Sequence, residues 1–60
     1  SLKNYAFLKI RALGFSPRAS LRIINVAIAA SMASLETGKE ASFEECINLC
    51  LECAGKSPIF

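Results

Sequence analysis

Sixty residues, 53% hydrophobic and 20% charged with net charge +2, describe one small folding unit rather than a disordered chain, which would pair low hydrophobicity with high net charge. A chain this short buries only roughly 60% of the surface its unfolded form exposes. Its three cysteines cannot all pair within one chain, so packing and not a disulfide framework must hold it together. His, Asp, Gln and Trp are absent, which removes the commonest general base and the commonest neutral metal ligand; neither an enzyme active site nor a cofactor is expected.

The odd cysteine count points to free thiols in a reducing, intracellular compartment, the cytoplasm being the expectation. The longest uncharged run, residues 23–35, is 13 residues, whereas spanning a bilayer takes about 20. No membrane span is therefore expected. Beginning at Ser1 rather than Met and finishing on Ile59 and Phe60, the chain reads as an excised or processed piece.

Start and stop signals divide the chain into three helices. The first is expected over about residues 2–13, with Ser1 as N-cap and Gly14 in the left-handed position that ends a helix. The second opens at Ser16 and Pro17, an N-cap followed by a residue pre-set for the first helical position, and runs to about Glu36 before Gly38. The third starts at Ser42, whose hydroxyl and the Glu45 carboxylate form a reciprocal capping box, and ends near Ala54 before Gly55. Turns this short favour antiparallel neighbours, so the fold class is all-α: a small three-helix bundle or a helical-repeat-like fragment around a central Ala-rich helix.

Periodicity assigns the faces. In the second helix Leu21, Ile24, Ile28, Met32 and Leu35 recur at 3, 4, 4 and 3 residues and are expected in the core. Ala19, Ile23, Val26, Ala27, Ala30 and Ala33 make a second apolar side, and only Arg18, Arg22, Asn25 and Glu36 form a polar strip. Such a helix belongs at the centre, sheathed by neighbours that its Ala and Ser residues let approach closely. On the third helix Phe43, Cys46, Ile47, Leu49, Cys50, Leu51, Cys53 and Ala54 share a packing face, with Glu44, Glu45, Asn48 and Glu52 in water. The first helix is apolar over more than half its girth, and Phe7 projects from its polar side beside Lys3 and Arg11. Two companions cannot easily cover all of this, so Phe7, Phe15, Ile59 and Phe60 are the candidate contacts to a partner.

Three features carry possible chemistry. Cys46, Cys50 and Cys53 fall at i, i+4 and i+7 on the packing face, where cysteine acts as a small buried hydrophobe; a thiolate copper or zinc site completed by another chain is the alternative. Arg18 and Arg22 repel each other at i, i+4 and oppose the helix dipole, at a cost of a few tenths of a kcal/mol to about 1 each. An anion held by Ser16, Arg18, Ser20 and Arg22 would reverse that sign; two solvated arginines are the simpler reading. Finally, residues 1–34 carry five basic and no acidic side chains (+5), and residues 35–60 two basic against five acidic (−3). That asymmetry could orient a partner, but no groove-reading or base-stacking motif accompanies Lys3, Lys9, Arg11, Arg18 and Arg22, so nucleic acid is not an expected ligand.

Several stretches resemble known families. The C-x3-C-x2-C spacing is similar to that by which radical SAM enzymes hold an iron–sulfur cluster, although Glu52 stands where those enzymes carry an aromatic and 60 residues cannot form their barrel. "ECINLCLECA" resembles a helix of copper-storing bundles. "GFSPRASL" at residues 14–21, then an Ala-rich helix, Gly38 and a fresh Ser-x-Glu-Glu start, resembles the C-terminal helical lid of AAA+ ATPases of the MoxR and magnesium-chelatase kind. That likeness covers about 35 residues and implies that Arg18 matches a sensor arginine touching nucleotide phosphate; the second helix runs about one turn longer than the pattern. "FEECINLCLECAGKSP" resembles the second helix of a tetratricopeptide repeat, with an internal echo between residues 8–17 and 49–58, 41 residues apart. Ala-rich "RALG…SP" segments are similar to phycobiliprotein helices. Incompatible families meeting in one short chain point to shared composition and capping grammar, and the chain is assigned to none of them.

The function expected is that of a non-enzymatic helical module, an accessory or structural subunit that binds another protein chain, the rest of a larger parent protein, or a copy of itself. A regulatory ATPase lid with a phosphate contact at the start of the second helix is the alternative, and a thiolate metal-binding helix the next.

Overall fold

The computed structural model describes residues 1–60 and contains three helices and no strand: α1 (Leu2–Ala12), α2 (Pro17–Glu36) and α3 (Phe43–Cys53). Each begins where its capping chemistry dictates. The Ser1 hydroxyl accepts from the Asn4 amide at 3.2 Å and the Ser16 hydroxyl from the Ala19 amide at 3.1 Å. At α3 the Glu45 amide donates to the Ser42 hydroxyl at 3.1 Å while the Ser42 amide donates to the Glu45 carboxylate at 3.2 Å, completing the box. The ends are as chemical as the starts. Gly38 and Gly55 follow α2 and α3 at φ +74° and +75°, a conformation glycine reaches without a Cβ penalty. There the amides of Lys39 and Lys56 turn back to the carbonyls of Ser34 and Leu51, both at 2.9 Å, closing a Schellman motif on each helix. Observed and expected boundaries agree to one residue.

α2 is the central element: α1 and α3 each pack on it, and their backbones do not approach each other. The radius of gyration is 11.0 Å, close to the roughly 10.4 Å of a packed domain of this length. One core joins all three helices, built from Ala6 and Ile10 of α1, Ile24 and Ala27 of α2, and Cys46, Ile47 and Leu51 of α3. Phe7, Leu13, Phe15, Ile23, Ile28, Phe43 and Ile59 pack around it half-buried.

The buried side of α2 is not the one hydrophobicity selects. Ser20, Ile24 and Ala27 face inward with Ser31 and Ser34 half-buried, whereas Leu21, Met32 and Leu35 of the expected core stripe stand in solvent. Serine can take these inward positions because each hydroxyl is satisfied by nearby main chain. Ser20 donates to the Ser16 carbonyl at 2.8 Å, Ser31 to that of Ile28 at 2.9 Å, and Ser34 to those of Ser31 and Ala41 at 2.9 and 3.2 Å. No buried polar side-chain atom is left without a partner. Small side chains along this line let α1 and α3 come close, and the longer apolar residues are left on the flanks. Two companion helices thus cover one side of α2, not its whole girth.

The C-terminal segment ties the ends of the molecule together. Past Gly55 the chain runs without regular structure, and Asn48 of α3 holds it: its Oδ1 accepts from the amides of Ile59 and Phe60 at 3.0 and 3.2 Å, and its Nδ2 donates to the Phe60 carbonyl at 2.9 Å. The Phe60 ring then lies 5.7 Å from that of Tyr5 on α1, tilted by 45°. Asn48, expected to be simply solvated, links α3 to α1 through this strap.

Candidate functional site

A row of exposed apolar side chains lies on α2. Leu21, Ile28, Met32 and Leu35 recur at 7, 4 and 3 residues, close to the periods that keep side chains on one face of a helix. Ile28 is half-buried, and Leu21, Met32 and Leu35 are 52%, 62% and 65% exposed. Asn25 falls in the same row, and Arg18, Arg22 and Glu36, all exposed, border it. Between this row and the start of α1 is an open cavity of about 210 Å³ lined by Lys3, Asn4, Phe7, Leu21, Ile24 and Asn25. Its walls are half apolar and half polar, and no group of three or more side chains anywhere in the chain is placed to hold a metal ion.

The four aromatic and aliphatic candidates behave differently from a free contact patch. Phe7, Phe15 and Ile59 are half-buried against the chain's own core. Phe15 is further enclosed by its turn: Arg11 donates to its carbonyl at 2.6 Å, and the Lys56 ammonium stands 6.0 Å from its ring centroid. Phe60 alone is well exposed, at 40%, and it already touches Tyr5. Phe7 keeps a second role, because it forms one wall of the cavity beside α2.

The start of α2 does not gather into an anion cradle. The Ser16 hydroxyl is occupied by the Ala19 amide, the Ser20 hydroxyl is fully buried against the Ser16 carbonyl, and that carbonyl also takes the Ser20 amide at 2.9 Å. Pro17 has no amide hydrogen to offer. Arg18 and Arg22 project into solvent on the outer side, away from both serines.

The three cysteines are free and grade from inside to outside: Cys46 buried, Cys50 half-buried, Cys53 exposed. Cys46 takes the core position expected of it beside Ile47 and Leu51, whereas Cys50 is only half-buried and Cys53 is exposed, which corrects their expected place on the packing face; Leu49, expected beside them, is exposed as well. Burial pushes the Cys50 thiol above its ordinary value, and the neighbouring Cys46 and Cys53 push it in the same direction. A raised thiol is a poor nucleophile and a poor ligand near neutral pH.

By length and composition alone α2, 20 residues with mean hydropathy 1.2 in its most apolar window, is long and apolar enough to cross a membrane, a measure that core helices of water-soluble proteins also meet. No protein-family model, curated protein or solved structure matches the chain.

Proposed function

We propose that this chain is a non-catalytic helical interaction module whose working surface is the outer row of α2. The reading rests on one observation: Leu21, Met32 and Leu35 stand exposed in one row of α2 with half-buried Ile28, a row interrupted only by Asn25. Scattered surface hydrophobics are ordinary, but a row along about four turns of one helix, edged by charge, has the anatomy of a recognition face. Its partner is another protein chain, a neighbouring part of a larger parent protein, or a copy of itself. Three free thiols suit a reducing compartment.

The test is photo-crosslinking in cells with a reactive amino acid placed at Met32 or Leu35, and at Glu52 as the control on the outer side of α3. Adducts at the first two positions and none at Glu52 are expected. Equal labelling at all three, or none at any, overturns the proposal.

A further inference from the structure

The outer row of α2 carries information about what it binds, because its charges are ordered along the helix. Arg18 and Arg22 border its first two turns and Glu36 its last, all on the same edge of the apolar row. A parallel copy related by a two-fold axis would carry this edge to the opposite side of the contact, leaving Arg18 and Glu36 without partners of opposite charge. An antiparallel copy related by a two-fold axis keeps that edge on one side of the contact and brings each Glu36 to the other chain's Arg18, at both ends at once. This pairing also removes the unfavourable position of two cations at a helix N-terminus, since the partner's carboxylate supplies the missing negative charge. The same register has apolar content. With the two-fold near residues 26 and 27, Leu21 faces the partner's Met32 and Asn25 the partner's Ile28, alternating as the seam of an antiparallel coiled coil requires. The partner's Met32 then stands over the cavity floored by Phe7, Leu21 and Ile24, and methionine is the side chain best able to fill an irregular gap.

We propose that α2 pairs antiparallel with α2 of a second copy of this chain, Met32 of each copy entering the cavity between α1 and α2 of the other, and Glu36 of each pairing with Arg18 of the other. The inference deepens the interaction-module reading and rests on it. From Leu21 to Leu35 the contact runs about 21 Å at 1.5 Å rise per residue, so the interface is at the small end of specific ones and a weak dimer in exchange with monomer is expected.

Sedimentation velocity of the full chain from about 1 µM to about 1 mM is the primary experiment. Concentration-dependent dimerisation is expected, weakened at least about tenfold by Met32→Glu and by Glu36→Arg with helicity unchanged, since both side chains are exposed in the monomer. Reversing both partners, Arg18→Glu with Glu36→Arg, restores the antiparallel pairing to within about threefold of the original. Isotope-filtered NMR on a mixed sample is expected to connect the Met32 methyl of one chain to the Phe7 ring of the other. A monomer throughout the range overturns the proposal, as does a dimer indifferent to Met32→Glu, or one whose interchain contacts join Met32 to Met32. If the purified chain stays monomeric while Met32 crosslinks to a different protein in cells, the second copy is excluded and the module reading survives; absence of both signals removes both.

Discussion

Asn48→Ala tests the strap that closes the fold. The side chain makes three hydrogen bonds to the C-terminal segment: two at exposed positions, and one, to the Ile59 amide, that is partly buried. At about 0.5 kcal/mol for each exposed bond and about 1 for the partly buried one, the loss is about 2 kcal/mol. Release of the segment also uncovers half-buried Ile59 and parts Phe60 from Tyr5, so the figure falls no lower if the strap detaches as a unit. For a domain of this size that is a fall in melting temperature of about 8–16 °C. Urea unfolding followed by far-UV circular dichroism gives the stability change, and hydrogen exchange at the amides of Ile59 and Phe60 reports the strap directly. Asn48→Asp keeps an acceptor for both amides and loses only the exposed donor bond to the Phe60 carbonyl, so about a quarter of the effect is expected. In a chain lacking residues 59 and 60 the Asn48→Ala substitution should become nearly silent, because its partners are gone. A change below about 0.5 kcal/mol with Ile59 still protected would refute the reasoning, and so would an undiminished effect in the shortened chain.

Ser20 separates size from polarity. Ser20→Ala is expected to stay within about 0.5 kcal/mol of the parent, since the Ser16 carbonyl keeps the Ser20 amide, whereas Ser20→Leu, with no space at a fully buried contact between helices, should abolish the cooperative thermal transition; equal melting of the two variants would contradict the packing described. Ser42→Ala removes the hydroxyl that accepts from the Glu45 amide, while the main-chain amide at residue 42 can still donate to the Glu45 carboxylate; it should cost about 1 kcal/mol in urea unfolding, with fraying confined to the first turn of α3 in amide exchange. Alkylation by iodoacetamide with peptide mass mapping should label Cys53 first, Cys50 later and Cys46 only on unfolding; Cys46 reacting as fast as Cys53 would be incompatible with its burial. The Cys50 thiol, raised in the fold, contributes stability that is full below the unfolded thiol value of about 8.5 and is lost as pH rises through the higher folded value, so the melting temperature should fall on that alkaline limb and less so in Cys50→Ala.

The helices and their limits are legible in the sequence because capping is local. Ser16 before Pro17, the Ser42 and Glu45 box, and Gly38 and Gly55 each act within a few residues, and the structure uses every one of them. The internal echo between residues 8–17 and 49–58 has its explanation here as well: both are helix ends at a glycine before Ser-Pro, yet Pro17 opens α2 while Pro58 lies in an extended strap. At the candidate site, the excess of apolar surface on this chain could be anticipated, but not its location. Phe7, Phe15 and Ile59 pack half-buried against the chain's own core, and the exposed row lies on α2 instead.

What the amino-acid order determined by itself is therefore the number, length and ends of the helices, since those depend on hydrogen bonds between near neighbours. Which side of α2 would be buried was settled only by assembly. Hydrophobicity favours Leu21, Met32 and Leu35, but two helices can approach α2 closely along Ser20, Ala27, Ser31 and Ser34, where the three serine hydroxyls are already satisfied by the helix itself. Close packing over small, self-satisfied side chains prevails over the burial of longer ones, and the residues it displaces are left in solvent.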